Sequence, residues 1–181
     1  MVTHDWKAIL GNAANAAVIV ASLAVVAAVV VDLHGTRRVA PDPEVRLSSL
    51  RNGVKVPRIA GVDYAGSERT LLLFLSVHCQ YCQQSVPFYR ELVAAAAGAP
   101  GKAPTRRVLA VFSESAADVG EFEDRENFNV EAVSGFRFQD FAVSGTPTAV
   151  LLSREGRVLQ VWRGAPSKEM QDAMRAALLS I

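Results

Sequence analysis

The sequence predicts an α/β domain with a mixed central sheet flanked by helices, carried behind one N-terminal transmembrane helix. Three observations predict it. No charged residue occurs from Ala8 to Val31. Beyond about residue 46, short apolar runs of strand length alternate with stretches of helical periodicity. A Cys79-Gln80-Tyr81-Cys82 motif stands where the first such strand gives way to the first helix.

The front segment comes first. A helix needs about twenty apolar residues to cross ~30 Å of hydrocarbon. Residues from about 13 to 33 reach that length, although Asn15 dilutes the start. We read residues 1–34 as a segment holding a retained anchor. Residues 35–45, polar and with prolines at 41 and 43, read as a linker. Residues 46–181 read as one domain of ordinary size. A cleaved signal peptide, with Val26-Ala27-Ala28 as its small-residue cleavage site, competes with the anchor. A buried core helix is the third reading. Arg37, Arg38, Arg46 and Arg51 on the far flank count toward a cytoplasmic domain. That rule is weak for long translocated domains, and the chemistry below points to the periplasmic side of the cytoplasmic membrane.

Within the domain, Leu71–Val77 is a continuous apolar run, as expected of a strand covered on both faces. Gln80–Ala97 reads as a helix, with Cys82, Val86, Tyr89, Val93 and Ala97 at helical spacing and Pro87 inside it. Arg107–Phe112 is a second strand. Ser115–Glu126 is an acidic helix, with Ser113 or Ser115 as its cap. The segment Asn129–Phe138 has no clear pattern. Thr148–Ser153 is a third strand, Glu155-Gly156 a tight turn, and Arg157–Arg163 its hairpin partner. Ser167 caps a final helix to Leu179, with Met170, Ala173, Met174, Ala177 and Leu178 facing inward. Crossover helices make parallel strands and the hairpin makes antiparallel ones, so the sheet is mixed.

Composition narrows the function. The chain has 181 residues, half of them apolar, with 19 basic against 18 acidic. That balance argues against a dedicated nucleic-acid binder, and the apolar share argues against disorder. Two cysteines cannot staple a disulfide-rich mini-protein.

The two cysteines carry the chemistry. A helix start offers unpaired N–H groups and partial positive charge, and both favour thiolate. Cys79 is therefore the expected nucleophile, with a lowered pKa. Cys82, one turn deeper, is placed to attack a mixed disulfide on Cys79. Zinc would need two further ligands, and His4 and His34 lie outside the domain, which leaves His78. A structural disulfide is a further alternative.

These residues resemble the thioredoxin-like superfamily: the strand, Cys79-x-x-Cys82, Pro87, and later Val143-Ser144-Gly145-Thr146-Pro147-Thr148 before an apolar strand. The resemblance implies that Pro147 is cis and lies against the cysteines, and that Thr146 and Pro147 bind the substrate backbone. The anchor, the linker and the 64 residues between Cys82 and Pro147 are similar to the membrane-anchored TlpA and ResA branch. There the implied function is a thiol–disulfide oxidoreductase acting on protein disulfides, in cytochrome c or copper-centre maturation. Implied partners are protein substrates with disulfides or thiols, a membrane or soluble dithiol electron donor, and the membrane itself through the N-terminal helix. No nucleic acid, organic cofactor or metal is expected.

The chain departs from the family pattern at three places. His78 replaces the usual Trp before the first cysteine, where it could help form the thiolate. Leu73 stands where many thioredoxins bury an acid. The intervening dipeptide is Gln-Tyr. The alternative from another class is a copper(I) metallochaperone using Cys79, Cys82 and His78.

Overall fold

The computed structural model describes residues 49–97 and 105–180. The expected anchor at about 13–33 and the linker at 35–45 lie outside the described residues. Five strands form one sheet: β1 (Arg69–Leu75), β2 (Arg106–Phe112), β3 (Glu131–Val133), β4 (Thr148–Ser153) and β5 (Val158–Arg163), in the order β3-β2-β1-β4-β5. β1 runs parallel to β2, with Leu72 opposite Leu109, and antiparallel to β4, with Leu72 opposite Val150. β2 and β3 are parallel, and β4 and β5 form the hairpin. The sheet is mixed, as the connections predict.

Among the described residues three α-helices accompany it: α1 (Gln80–Ala96), α2 (Ala116–Glu126) and α3 (Lys168–Leu179). Successive strand residues point to opposite faces. Leu71, Leu73 and Leu75 therefore join one core, with Val86, Tyr89 and Leu92 of α1, Phe122 of α2 and Leu178 of α3. Leu72 and Phe74 join a second core with Val56, Ile59, Phe136 and Phe141. Both faces are covered, which is why β1 reads as an unbroken apolar run.

Several boundaries differ from the sequence reading. β1 begins two residues earlier than Leu71, because Arg69 and Thr70 pair with Arg106 and Arg107. It ends at Leu75, and the Val77 amide turns to a side chain, Oε1 of Glu114, instead. β5 begins at Val158, while Arg157 makes an isolated bridge to Lys55. The buried side of α1 passes through Leu92 and Ala96, leaving Val93 half-buried and Ala97 exposed. In α3, Met174 and Leu178 are buried and Met170 and Ala177 pack against them. Ala173 is exposed, one position off that stripe. The patternless segment supplies β3, a three-residue edge strand.

Local chemistry accounts for the ends. Ser115 caps α2 by accepting from the Asp118 amide at 3.2 Å. Ser167 caps α3 by accepting from the Met170 amide at 3.3 Å. Gly156 makes the hairpin turn at φ +73°, where a Cβ would lie 3.0 Å from the Tyr64 ring.

Candidate active site

The site forms where β1 hands the chain to α1. Cys79 is the N-cap of α1, with extended backbone, and its sulfur accepts from the Cys82 amide at 3.3 Å. The Cys79 carbonyl accepts from the amides of Cys82 (3.0 Å) and Gln83 (3.1 Å), which starts the helix. Cys79 is half-buried, Cys82 is 0% exposed, and both are free thiols. The two cysteines lie close together, linked directly by that Cys82 amide.

Opposite them lies the loop before β4. The Thr146–Pro147 peptide is cis, and the Cys79 thiol donates to the Thr146 carbonyl at 3.5 Å. Residues 67 apart in sequence are thus brought together, in the juxtaposition that the sequence resemblance implied. The loop is held from two sides. The Thr148 hydroxyl donates to the Gly145 carbonyl at 2.7 Å, and the Pro147 carbonyl accepts from the Gly164 amide at 2.8 Å. Thr148→Val removes the first bond from a buried site. It is expected to cost about 1 kcal/mol, read by denaturant unfolding.

The two sulfurs differ electrostatically. Burial pushes Cys79 up, but hydrogen bonds from the Cys82 thiol, the Thr146 side chain and the amides of Cys82 and Tyr81 outweigh it. The net position lies below the ordinary thiol value. Burial, and donation to Cys79, push the Cys82 thiol up to about 12, against smaller opposing hydrogen bonds from the Ser76 backbone and the Thr146 side chain. The thiolate is the reactive form, so a lowered pKa preserves reactivity as pH falls. Alkylation of Cys79 by iodoacetamide should therefore show a midpoint below the usual ~8.5. Cys82 should resist until far more alkaline pH. Peptide mass spectrometry across a pH series reads both.

His78 is exposed in the turn between β1 and α1. The interactions that lower Cys79 come from Cys82, Thr146 and Tyr81, and His78 is not among them. Among the described residues, no three His, Cys, Asp or Glu side chains converge as a metal-binding group. Leu73, in β1, is 0% exposed and packs in the same core as Cys82. Tyr81 is 62% exposed beside the sulfurs, and Trp162 is buried in the hairpin.

Sequence reasoning missed two residues here. Ser76 and Glu114 bond to each other, and between them they take the Val77 and Cys79 amides of the turn that carries Cys79. Glu114 follows β2 by two residues, and β2 is the parallel neighbour of β1. The carboxyl ends of parallel strands are where α/β sites gather, and that was the available signal.

The strand order and the place of the sulfurs are those of a thioredoxin-like protein. The chain belongs to the thioredoxin-like domain family, whose model matches residues 64–178. Solved structures agree. A protein assigned as a thiol:disulfide interchange protein DsbE from Chlorobium tepidum is similar at 25% identity, over 72% of this chain and 97% of that one, with a TM-score of 0.58. The thioredoxin domain of a thiol-disulfide oxidoreductase from Bacteroides vulgatus has 16% identity over 72% and 99% of the two chains, and a TM-score of 0.57. A secreted disulfide oxidoreductase from Mycobacterium tuberculosis, homologous to E. coli DsbE, has 16% identity over 71% and 96%, and a TM-score of 0.52. At 16% identity these last two show the fold alone. No curated protein matches the sequence. The family and the Chlorobium structure support thiol–disulfide redox chemistry at a general level.

Proposed function

We propose that this chain is a thiol–disulfide oxidoreductase that exchanges with protein disulfides through Cys79 and Cys82. One observation carries the reading. A half-buried, acid-shifted sulfur caps a helix and faces the Thr146–Pro147 backbone, while its partner lies buried behind it.

The chemistry follows from that asymmetry. The Cys79 thiolate attacks one sulfur of a substrate disulfide, forming a mixed disulfide and expelling the other substrate sulfur as thiolate. Cys79 is then neutral, so its negative charge no longer opposes ionisation of Cys82. Cys82 loses its proton and attacks Cys79, releasing the second substrate thiolate. The substrate disulfide is reduced by two electrons and Cys79–Cys82 becomes a disulfide. A membrane or soluble dithiol donor returns the pair to the reduced state. Thr146 and Pro147 receive the substrate chain beside Cys79.

The apolar stretch at about 13–33 supports a single-pass tether in the cytoplasmic membrane. An exchange domain facing the periplasm meets disulfide-bearing substrates there. Maturation of cytochrome c or of copper centres is the setting that the TlpA and ResA resemblance favours.

Insulin reduction by dithiothreitol, with the full chain as catalyst, tests the reading. Turbidity should appear faster with the protein than with dithiothreitol alone. No acceleration would overturn it. The reduction potential of the Cys79/Cys82 couple then gives the direction: about −270 mV marks a reductant, and about −120 mV an oxidant.

A further inference from the structure

We propose that Glu114 is a positioning residue for the Cys79/Cys82 pair, acting through Ser76. The inference rests on the exchange reading above, but it concerns how the sulfurs are held rather than what they attack.

β1 ends at Leu75, and the next amides lie past its ladder. Three of them find acceptors, two within the turn and one outside it. The Val77 amide donates to Oε1 of Glu114 at 3.2 Å, the His78 amide to the Ser76 hydroxyl at 3.3 Å, and the Cys79 amide to the Ser76 carbonyl at 3.1 Å. Two acceptors therefore belong to Ser76 and the third to Glu114, which comes from another strand's end. The Ser76 hydroxyl itself donates to the same Glu114 oxygen. One carboxylate thus fixes the Val77 amide directly and the Ser76 side chain that holds the His78 amide.

Ser76 touches both sulfur-bearing residues. Its carbonyl takes the Cys79 amide at 3.1 Å, and its backbone is among the groups that hold the Cys82 thiol's pKa down against burial. A shift of Ser76 moves the helix cap relative to both. Glu114 is well placed to prevent that shift, being tied at both ends. Its second oxygen accepts from the Ser113 hydroxyl at 3.1 Å, and its own carbonyl accepts from the Gly135 amide at 2.7 Å. A carboxylate accepts several bonds at once, and an alanine accepts none. The contact joins β2's end to β1's end across 38 residues.

The test is the pH profile of Cys79 alkylation in the full reduced chain, which has no cysteines beyond these two. Glu114→Ala is expected to lower the rate at neutral pH about tenfold, which corresponds to one pKa unit on Cys79. Ser76→Ala should act alike. The double variant should fall no further than either, because the two residues work through one contact. Glu114→Gln keeps an acceptor oxygen and should restore the wild-type profile, which a merely destabilised fold would not do. A wild-type profile in Glu114→Ala, or losses that add in the double variant, would overturn the proposal. Should Glu114→Ala fail to fold, an unchanged profile in Ser76→Ala overturns it. Alkylation needs no turnover, so the two readings fail separately. A wild type inactive on insulin, with a Glu114→Ala shift intact, removes the exchange reading and upholds the positioning role.

Discussion

Cys82→Ser is expected to stop the reaction halfway, leaving a protein substrate covalently bound to Cys79. The reason lies in the unequal burial of the two sulfurs. Cys79 is the half-buried one, shifted toward thiolate, and it faces Thr146. Cys82 is 0% exposed and cannot meet a substrate first. A serine at position 82 keeps the backbone amide that donates to Cys79, so the first attack survives. The hydroxyl cannot resolve the mixed disulfide, and the complex accumulates. Non-reducing gels should show a band of combined mass that disappears with dithiothreitol. Cys79→Ser should trap nothing and lose insulin turnover by about 10³-fold or more, because the nucleophile itself is gone. Trapping by Cys79→Ser instead would reverse the order of the two thiols.

The second large effect is expected in the core. Phe74→Ala should cost about 3–5 kcal/mol, the range for emptying a buried aromatic site. Domains of this kind hold only about 5–15 kcal/mol in total, so the variant sits near the edge of folding. Phe74 is 0% exposed, and its ring lies 5.5 Å from Phe138, 5.4 Å from Phe141 and 6.3 Å from Phe136. These three rings anchor the chain just ahead of Thr146. The Phe138 carbonyl also takes the Val143 amide at 3.0 Å. Losing Phe74 should therefore unsettle the loop opposite Cys79 as well as the fold. Leu159→Ala provides the contrast: at 39% exposure it should change stability by less than about 0.5 kcal/mol. Urea titrations of both variants give the comparison.

Most of the fold was legible because its strands are buried on both faces. Leu71–Leu75 shows no alternation, and burial explains why: its side chains divide between two cores. Helix caps were legible too, since Ser115 and Ser167 do locally what a serine before a helix does. β3 was not. Three residues, two of them exposed, carry no pattern, and only pairing with β2 makes them a strand. In the site, Cys79, Cys82, Thr146 and Pro147 converge as their motifs suggested. His78 drew attention because it adjoins Cys79 in sequence, yet Cys79 takes its stabilising contacts from other groups. Glu114 was hidden for the opposite reason. It stands 38 positions from Ser76, in an acidic stretch that looks like any solvated surface. Contacts made by tertiary pairing leave no periodic trace in the chain.

Leu73 has a consequence for proton traffic. With hydrocarbon rather than a carboxylate at that position of β1, Leu73 offers the Cys82 proton no acceptor. The polar groups that act on that sulfur include Cys79, Ser76 and Thr146. In the proposed exchange cycle, Cys82 would therefore give up its proton with no carboxylate at position 73 to receive it.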